Sequence, residues 1–153
     1  MGISASVVID DADVKRLLNG LIKNVGQISE KGKRYVGLLS SIVFRDVIEH
    51  FENEEGPRGR WAPWSARYSR YMVSVGKGNN LILSDTGRLR QGWQPSRYRV
   101  AKDGILWFNP VPYAAQHDQG IFPYPARKFT WLSKQAVQEI ETQTARFVED
   151  IEK

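Results

Sequence analysis

Cysteine is absent from the 153 residues, so no disulfide, thiolate metal site or cysteine nucleophile can be built. That composition suits a reducing compartment. Long apolar runs are also lacking: the longest, such as Val7 to Ile9 and Ile42 to Phe44, are far too short to cross a bilayer. The opening Met-Gly-Ile-Ser has no basic segment followed by an apolar one, so no secretory leader is expected. Internal repeats and low-complexity stretches are missing. So are the signatures of several chemistries. No Gly-x-Ser-x-Gly elbow occurs, and Gly76-Lys77-Gly78 continues into Asn79-Asn80 without the Lys-Ser/Thr of a phosphate-cradling loop. No known RNA- or DNA-binding signature appears.

Histidine is scarce, with only His50 and His117. His50 lies four residues after Asp46, so a helix would set the two on one face, as a base with its orienting carboxylate or as half a metal site. No third ligand stands at convincing spacing, and a structural histidine bonded to its neighbour one turn back is the preferred reading. His117 precedes Asp118, but sequence neighbours seldom face each other, so a structural role is preferred there too. No catalytic residue, cofactor or metal is expected, and a histidine-dependent hydrolase is the weakest of the functional classes.

What the chain does contain is unevenly placed charge. Between Gly56 and Lys102 stand ten basic residues and one acid, Asp85, whereas the rest of the chain carries 12 basic and 16 acidic side chains. Arg58, Arg60, Arg67, Arg70, Arg88, Arg90, Arg97 and Arg99 are interleaved with Trp61, Trp64, Tyr68, Tyr71 and Trp93. A basic stretch between acidic ends points to an acidic partner. Arginines could neutralise phosphates and the rings could stack on bases. The same residue types anchor protein interfaces, and composition favours that reading over nucleic acid.

Ile3, Ala5, Val7 and Ile9 alternate as in a strand, after which Asp10 or Asp11 can cap a helix bearing Val14, Leu17, Leu18, Leu21, Ile22, Val25 and Ile28. A second helix is expected from about Lys33 to Phe51. Val36, Leu39, Val43, Val47 and Phe51 form its main stripe, widened by Leu38, Ile42, Phe44 and Ile48, an apolar face broad enough to be covered from several sides. From about 53 to 92 no period is sustained, although short helical turns fit near Trp64 to Met72 and Asp85 to Gln91. This stretch has too many aromatics for a solvated linker and is expected to be an extended arm, buried partly on another subunit. Tyr98 to Ala101 and Ile105 to Phe108 flank Lys102-Asp103-Gly104 as a hairpin. Pro110, Pro112, Pro123 and Pro125 stiffen the following loop. Ser133 can cap a last helix whose stripe is Val137, Ile140, Thr144, Phe147, Val148 and Ile151. The order implies one α+β domain over residues 1–153, with a small antiparallel sheet, three main helices and the long arm.

Four ordered pieces are more specific than the composition. Pro57, Gly59, Trp61 and Pro63 form P-x-G-x-W-x-P. Leu83, Thr86, Gly87 and Leu89 form L-x-x-T-G-x-L. Tyr113, His117 and Gly120 belong to Y-A-x-x-H-x-x-G, and Pro125, Arg127 and Phe129 to P-A-R-x-F. This set resembles the phage virion-morphogenesis family, which includes Mu-like and P2-like tail-completion proteins. Strong resemblance covers about Phe51 to Leu132. Trp64 departs from it, standing where a smaller aliphatic residue is expected.

The resemblance implies a structural, non-enzymatic subunit of the virion, assembled in the host cytoplasm into a homo-oligomeric ring at the tail or neck. Its neighbours would be head-completion, tail-terminator or tail-tube proteins, with no membrane or small-molecule substrate. A basic module touching DNA that threads the head–tail junction is the alternative. In physical terms Gly59 and Gly87 permit backbone closed to other residues, Thr86 can bond local backbone, and His117 and Arg127 can fasten the proline-rich loop by donating to carbonyls.

Overall fold

The computed structural model describes residues 5–8, 12, 22–24, 27–101 and 104–152. The fold is α+β. Its strands are β1 (Ala5–Val8), β2 (Ile22–Asn24), β3 (Gln27–Ile28), β4 (Glu55–Gly56), β5 (Gly59–Arg60), β6 (Tyr98–Ala101) and β7 (Gly104–Asn109). Its helices are α1 (Glu30–Asn53), α2 (Ala66–Ser74), α3 (Arg88–Gln91), α4 (Ala114–Gln119) and α5 (Lys134–Glu152). One sheet has the order β1-β7-β6, and β2-β3 and β4-β5 are separate two-stranded pairs. Among the described residues no helix is long and apolar enough to cross a membrane.

The chain packs as two compact units. One comprises Met1–Ala5, Val47–Trp93 and Asn109–Trp131, and the other Ser6–Asp46, Gln94–Phe108 and Leu132–Lys153. The second unit is organised by the first part of α1. Ser29 accepts from the amide of Gly32 through Oγ at 3.1 Å, capping the helix three residues ahead of its expected start. Tyr35, Val36, Leu39, Ile42 and Val43 are buried, as are Ile105 and Trp107 of β7 and Ala136 and Ile140 of α5. Polar groups in this core are paired, as burial demands. The Trp107 indole donates to Ser40 Oγ at 2.9 Å, and the Tyr35 hydroxyl lies 2.6 Å from Thr144 Oγ1. Ser133 caps α5 through a 3.1 Å bond from the Ala136 amide and is held in turn by Asp46, which accepts from both its amide and its hydroxyl.

The main stripe of α1, Val36, Leu39, Val43, Val47 and Phe51, is buried with Ile42, whereas of the flanking residues Phe44 and Ile48 are half-buried and Leu38 is exposed. On α5, Val137 is likewise exposed, and Ala136 takes the buried position. The expected hairpin forms, but Gly104, expected in its turn, belongs to the second strand: Ala101 stands opposite Gly104 and Val100 opposite Ile105. The helix expected over Val14 to Ile28 needs correction in part. Residues 13–21, 25 and 26 lie outside the described residues, while β2 and β3 pair antiparallel with Ile22 opposite Ile28. The three-residue steps Ile22, Val25 and Ile28 fit a helical face, and that period does not register the antiparallel pairing of Ile22 with Ile28.

The first unit is built on the last turns of α1, where Val47 and Phe51 are fully buried. Phe51 meets Trp61 edge-on at 5.5 Å and lies tilted against Phe129 at 5.1 Å, and Trp93 meets Phe129 edge-on at 6.0 Å. Edge-to-face geometry at these separations favours the quadrupoles of the rings. His50, also buried, stacks on Trp131 at 3.9 Å and shares a hydrogen bond with its carbonyl through Nε2 at 3.0 Å.

The stretch from 53 to 92 carries only short elements, β4, β5, α2 and α3. Trp61, Met72 and Leu89 are buried within the one chain, whereas Tyr68 and Tyr71 are exposed. Hydrogen bonds from side chain to backbone hold it where regular ladders do not. Glu54 accepts from the amide of Ile82 at 3.0 Å, and Asn109 donates to the carbonyl of Leu89 at 2.8 Å.

Candidate functional site

Helix α1 ends at Glu54, whose φ is 52°, and the chain turns at once into the β4–β5 hairpin. Glu55 pairs with Arg60 and Gly56 with Gly59, leaving Pro57-Arg58 as the turn. Gly59 has a φ of 129°, open to glycine and strained for other residues. The hairpin delivers Trp61 to the core, where its indole donates to the carbonyl of Lys128 at 3.0 Å.

Beyond Trp61 the backbone would expose the carbonyls of Ala62 and Pro63, and Arg127 answers both. It donates from Nε to Ala62 at 2.8 Å and from Nη2 to Pro63 at 3.0 Å. A planar guanidinium suits two adjacent acceptors, as a lysine does not. Burial draws the Arg127 pKa down, and the charge of Glu54 opposes the shift.

Ser65 then starts α2, accepting from the amide of Tyr68 at 3.2 Å. Met72 faces inward. Trp64, Tyr68 and Tyr71 run as a ring ladder, at 5.6 and 6.0 Å between centroids, with Tyr68 and Tyr71 exposed. Gly87, with a φ of 73°, opens α3. Thr86 accepts from the Arg88 amide at 3.3 Å, as its place in the turn suggests.

Helix α4 presents two neighbours in opposite senses. Asp118 is buried and accepts from the amides of Phe129 and Thr130, each at 2.9 Å, and from the Thr130 hydroxyl at 2.7 Å. His117 sits between Tyr113 and Tyr124, with centroids 6.0 and 4.4 Å away. Its buried Nδ1 has no hydrogen-bond partner among the described residues. Burial, helped by the charge of Arg127, pushes its pKa below the usual histidine value, so the ring is neutral. The Asp118 carboxylate therefore fastens the proline-rich loop, together with the His117 carbonyl, which accepts from the Arg127 amide at 2.9 Å. The expectation that the His117 side chain does so is corrected for Nδ1. Asp118 was the residue that sequence reasoning missed; a carboxylate in the middle of an otherwise neutral Tyr113–Gly120 segment was its only signal.

These segments enclose a cavity of about 710 Å³. Ten of the singled-out residues line it, namely Pro63, Trp64, Leu83, Thr86, Gly87, Leu89, Tyr113, His117, Pro125 and Arg127, with Tyr68, Tyr124, Asp85 and Arg88 among the others. Pro57 and Gly59 stay on the hairpin, and Trp61 and Phe129 are core residues. Gly120, at a φ of 70°, ends α4 so close to Ala126 that an added Cβ would stand 2.6 Å from its amide nitrogen.

The arginines do not act as one group. Arg58, Arg60, Arg67 and Arg70 are exposed, with no ion pair among the described residues. Arg88 lies 5.8 Å over the ring of Tyr113, and Arg90 pairs with Glu52 at 2.6 Å. Arg97 and Arg99 belong to the other unit, where Arg99 lies 5.4 Å from the Phe108 ring. Among the described residues no three histidine, aspartate or glutamate side chains group as metal ligands. In comparisons with known proteins, no family model matches the chain, and no curated protein or solved structure is significantly similar to it.

Proposed function

We infer that the chain is a phage virion-morphogenesis protein of the tail-completion type, a non-enzymatic subunit that assembles with like copies into a ring at the neck or proximal tail. The observation that carries this reading is the convergence of residues from four ordered sequence pieces on one cavity. Residues as far apart as Pro63 and Arg127 meet there through direct hydrogen bonds, so the pieces act as one constructed surface. An aromatic and proline-lined face with arginines at its margin has the composition of a protein interface. The partners would be further copies and adjacent head-completion, tail-terminator or tail-tube proteins, within the virion. Removing the protein from its phage should leave heads and tails that do not join, or tails that remain unfinished. Fully infectious particles lacking it would refute the reading.

A second reading, a surface touching the DNA that threads the junction, is favoured by Arg58, Arg60, Arg67 and Arg70, which are exposed and join no ion pair among the described residues. Phosphate contacts would appear as steep loss of DNA affinity with added salt. Affinity insensitive to replacement of these four arginines would remove it.

A further inference from the structure

Burial and charge disagree at one residue of the cavity wall. Arg127 is 7% exposed, and an arginine this deep is ordinarily matched by a carboxylate, because a buried charge without a counter-charge is costly. Arg127 joins no ion pair among the described residues. Its Nε and Nη2 go to the neutral carbonyls of Ala62 and Pro63, and the charge of Glu54 opposes the effect of burial on its pKa without cancelling it. Its Nη1 has no hydrogen-bond partner among the described residues. Nor is that nitrogen sealed in, as the buried ring nitrogens of Trp93, His117 and Trp131 are. Arg127 lines the cavity, so the free end of its guanidinium opens there.

The remainder of the wall, all of it in the first unit, carries a matching bias. Its other charged side chains are Arg88 and Asp85, and Asp85 is already paired with Lys77 at 2.7 Å. His117 is kept neutral by burial. Arg88 lies 5.8 Å over the Tyr113 ring, a stacking that leaves the in-plane donors of a guanidinium available to an anion. Positive charge is therefore in excess. Trp64, Tyr68, Tyr113 and Tyr124 bring aromatic rings to the same wall. The volume of about 710 Å³ falls within the ~300–1,000 Å³ typical of small-molecule sites.

We propose that the cavity binds a small organic anion, a flat aromatic body carrying one carboxylate. The carboxylate accepts from Arg127 Nη1 and supplies the counter-charge that burial calls for, while the rings enclose the body. A monoanion balances the single buried guanidinium, and the exposed Arg88 adds attraction on entry. Binding of this kind needs no second copy of the chain, so it stands apart from the assembly reading above.

Naphthylacetate, naphthylethanol and naphthylethylamine share one ring system and differ in charge, and titration calorimetry on the full chain compares them. Naphthylacetate should bind at least tenfold more tightly than naphthylethanol, and naphthylethylamine more weakly than either. Acetate, which lacks the ring, should not compete. Because Arg127 also holds backbone, its side chain is read in place: the NMR resonances of its guanidinium should shift with naphthylacetate and stay still with naphthylethanol. Equal affinity for the anionic and neutral rings overturns the site. So does anion binding that leaves the Arg127 resonances unmoved, or no binding of naphthylacetate at about 10 mM.

Discussion

Arg127 donates from Nη2 to the backbone carbonyl of Pro63 at 3.0 Å, joining residues 64 apart in sequence, and its Nε serves the neighbouring Ala62. The pair locks the entry to α2 against the loop that follows α4, and both walls of the cavity depend on it. Arg127→Lys keeps the charge and loses the fork. It should lower unfolding free energy by about 2–3 kcal/mol, since two carbonyl acceptors lose charged donors. Denaturant titration measures this, and a loss below about 0.5 kcal/mol would mean the lock is dispensable.

The adjacent residues of α4 should separate cleanly. Asp118→Ala strips the acceptor from two amides and a hydroxyl and should cost about 3 kcal/mol or more. His117→Gln, which removes a ring with an unpartnered Nδ1, should cost under about 1 kcal/mol. Equal losses would contradict the division of labour between them.

The depressed pKa of His117 gives stability a defined pH slope. The unfolded chain takes up a proton near pH 6.5, where an ordinary histidine titrates at about that value. The folded chain resists until lower pH. Stability is therefore full above the ordinary value and falls as pH drops through it towards the depressed folded pKa, levelling beyond. Melting temperatures of wild type and His117→Gln should converge over that window. A difference independent of pH would contradict the assignment.

Replacing Arg67 and Arg70 by Ser should leave the melting temperature unchanged, because both side chains are exposed and neither joins an ion pair among the described residues. Association should nonetheless slow, and lose part of its salt dependence, if these charges steer an acidic partner such as the Glu141- and Glu149-bearing helix α5 of another copy. Stopped-flow light scattering at low and high salt reads the rate.

Regular elements were legible in the sequence for a simple physical reason. The Val36 to Phe51 stripe, the Ser133 cap and the existence of the Tyr98–Asn109 hairpin follow from periodicities of 3.6 and 2, local capping and turn chemistry. Leu38 and Val137 were misjudged because periodicity marks an apolar face without saying how much of it is covered. The packing of residues 53–92 was illegible, since it rests on single bonds from Glu54, Asn109 and Arg127 to distant backbone, which leave no period. In the candidate site, the ordered pieces led to nine cavity residues. They did not distinguish those lining the cavity from Trp61 and Phe129, and they passed over the role of Asp118, whose partners Phe129 and Thr130 follow 11 and 12 residues later.

Self-assembly stands or falls on the native mass of the purified chain. Native mass spectrometry across micromolar concentrations should find a closed oligomer of one fixed copy number, with ring-shaped particles in electron micrographs of the same sample. A single species at the 17.5 kDa of one chain, at low and high salt alike, would contradict the account.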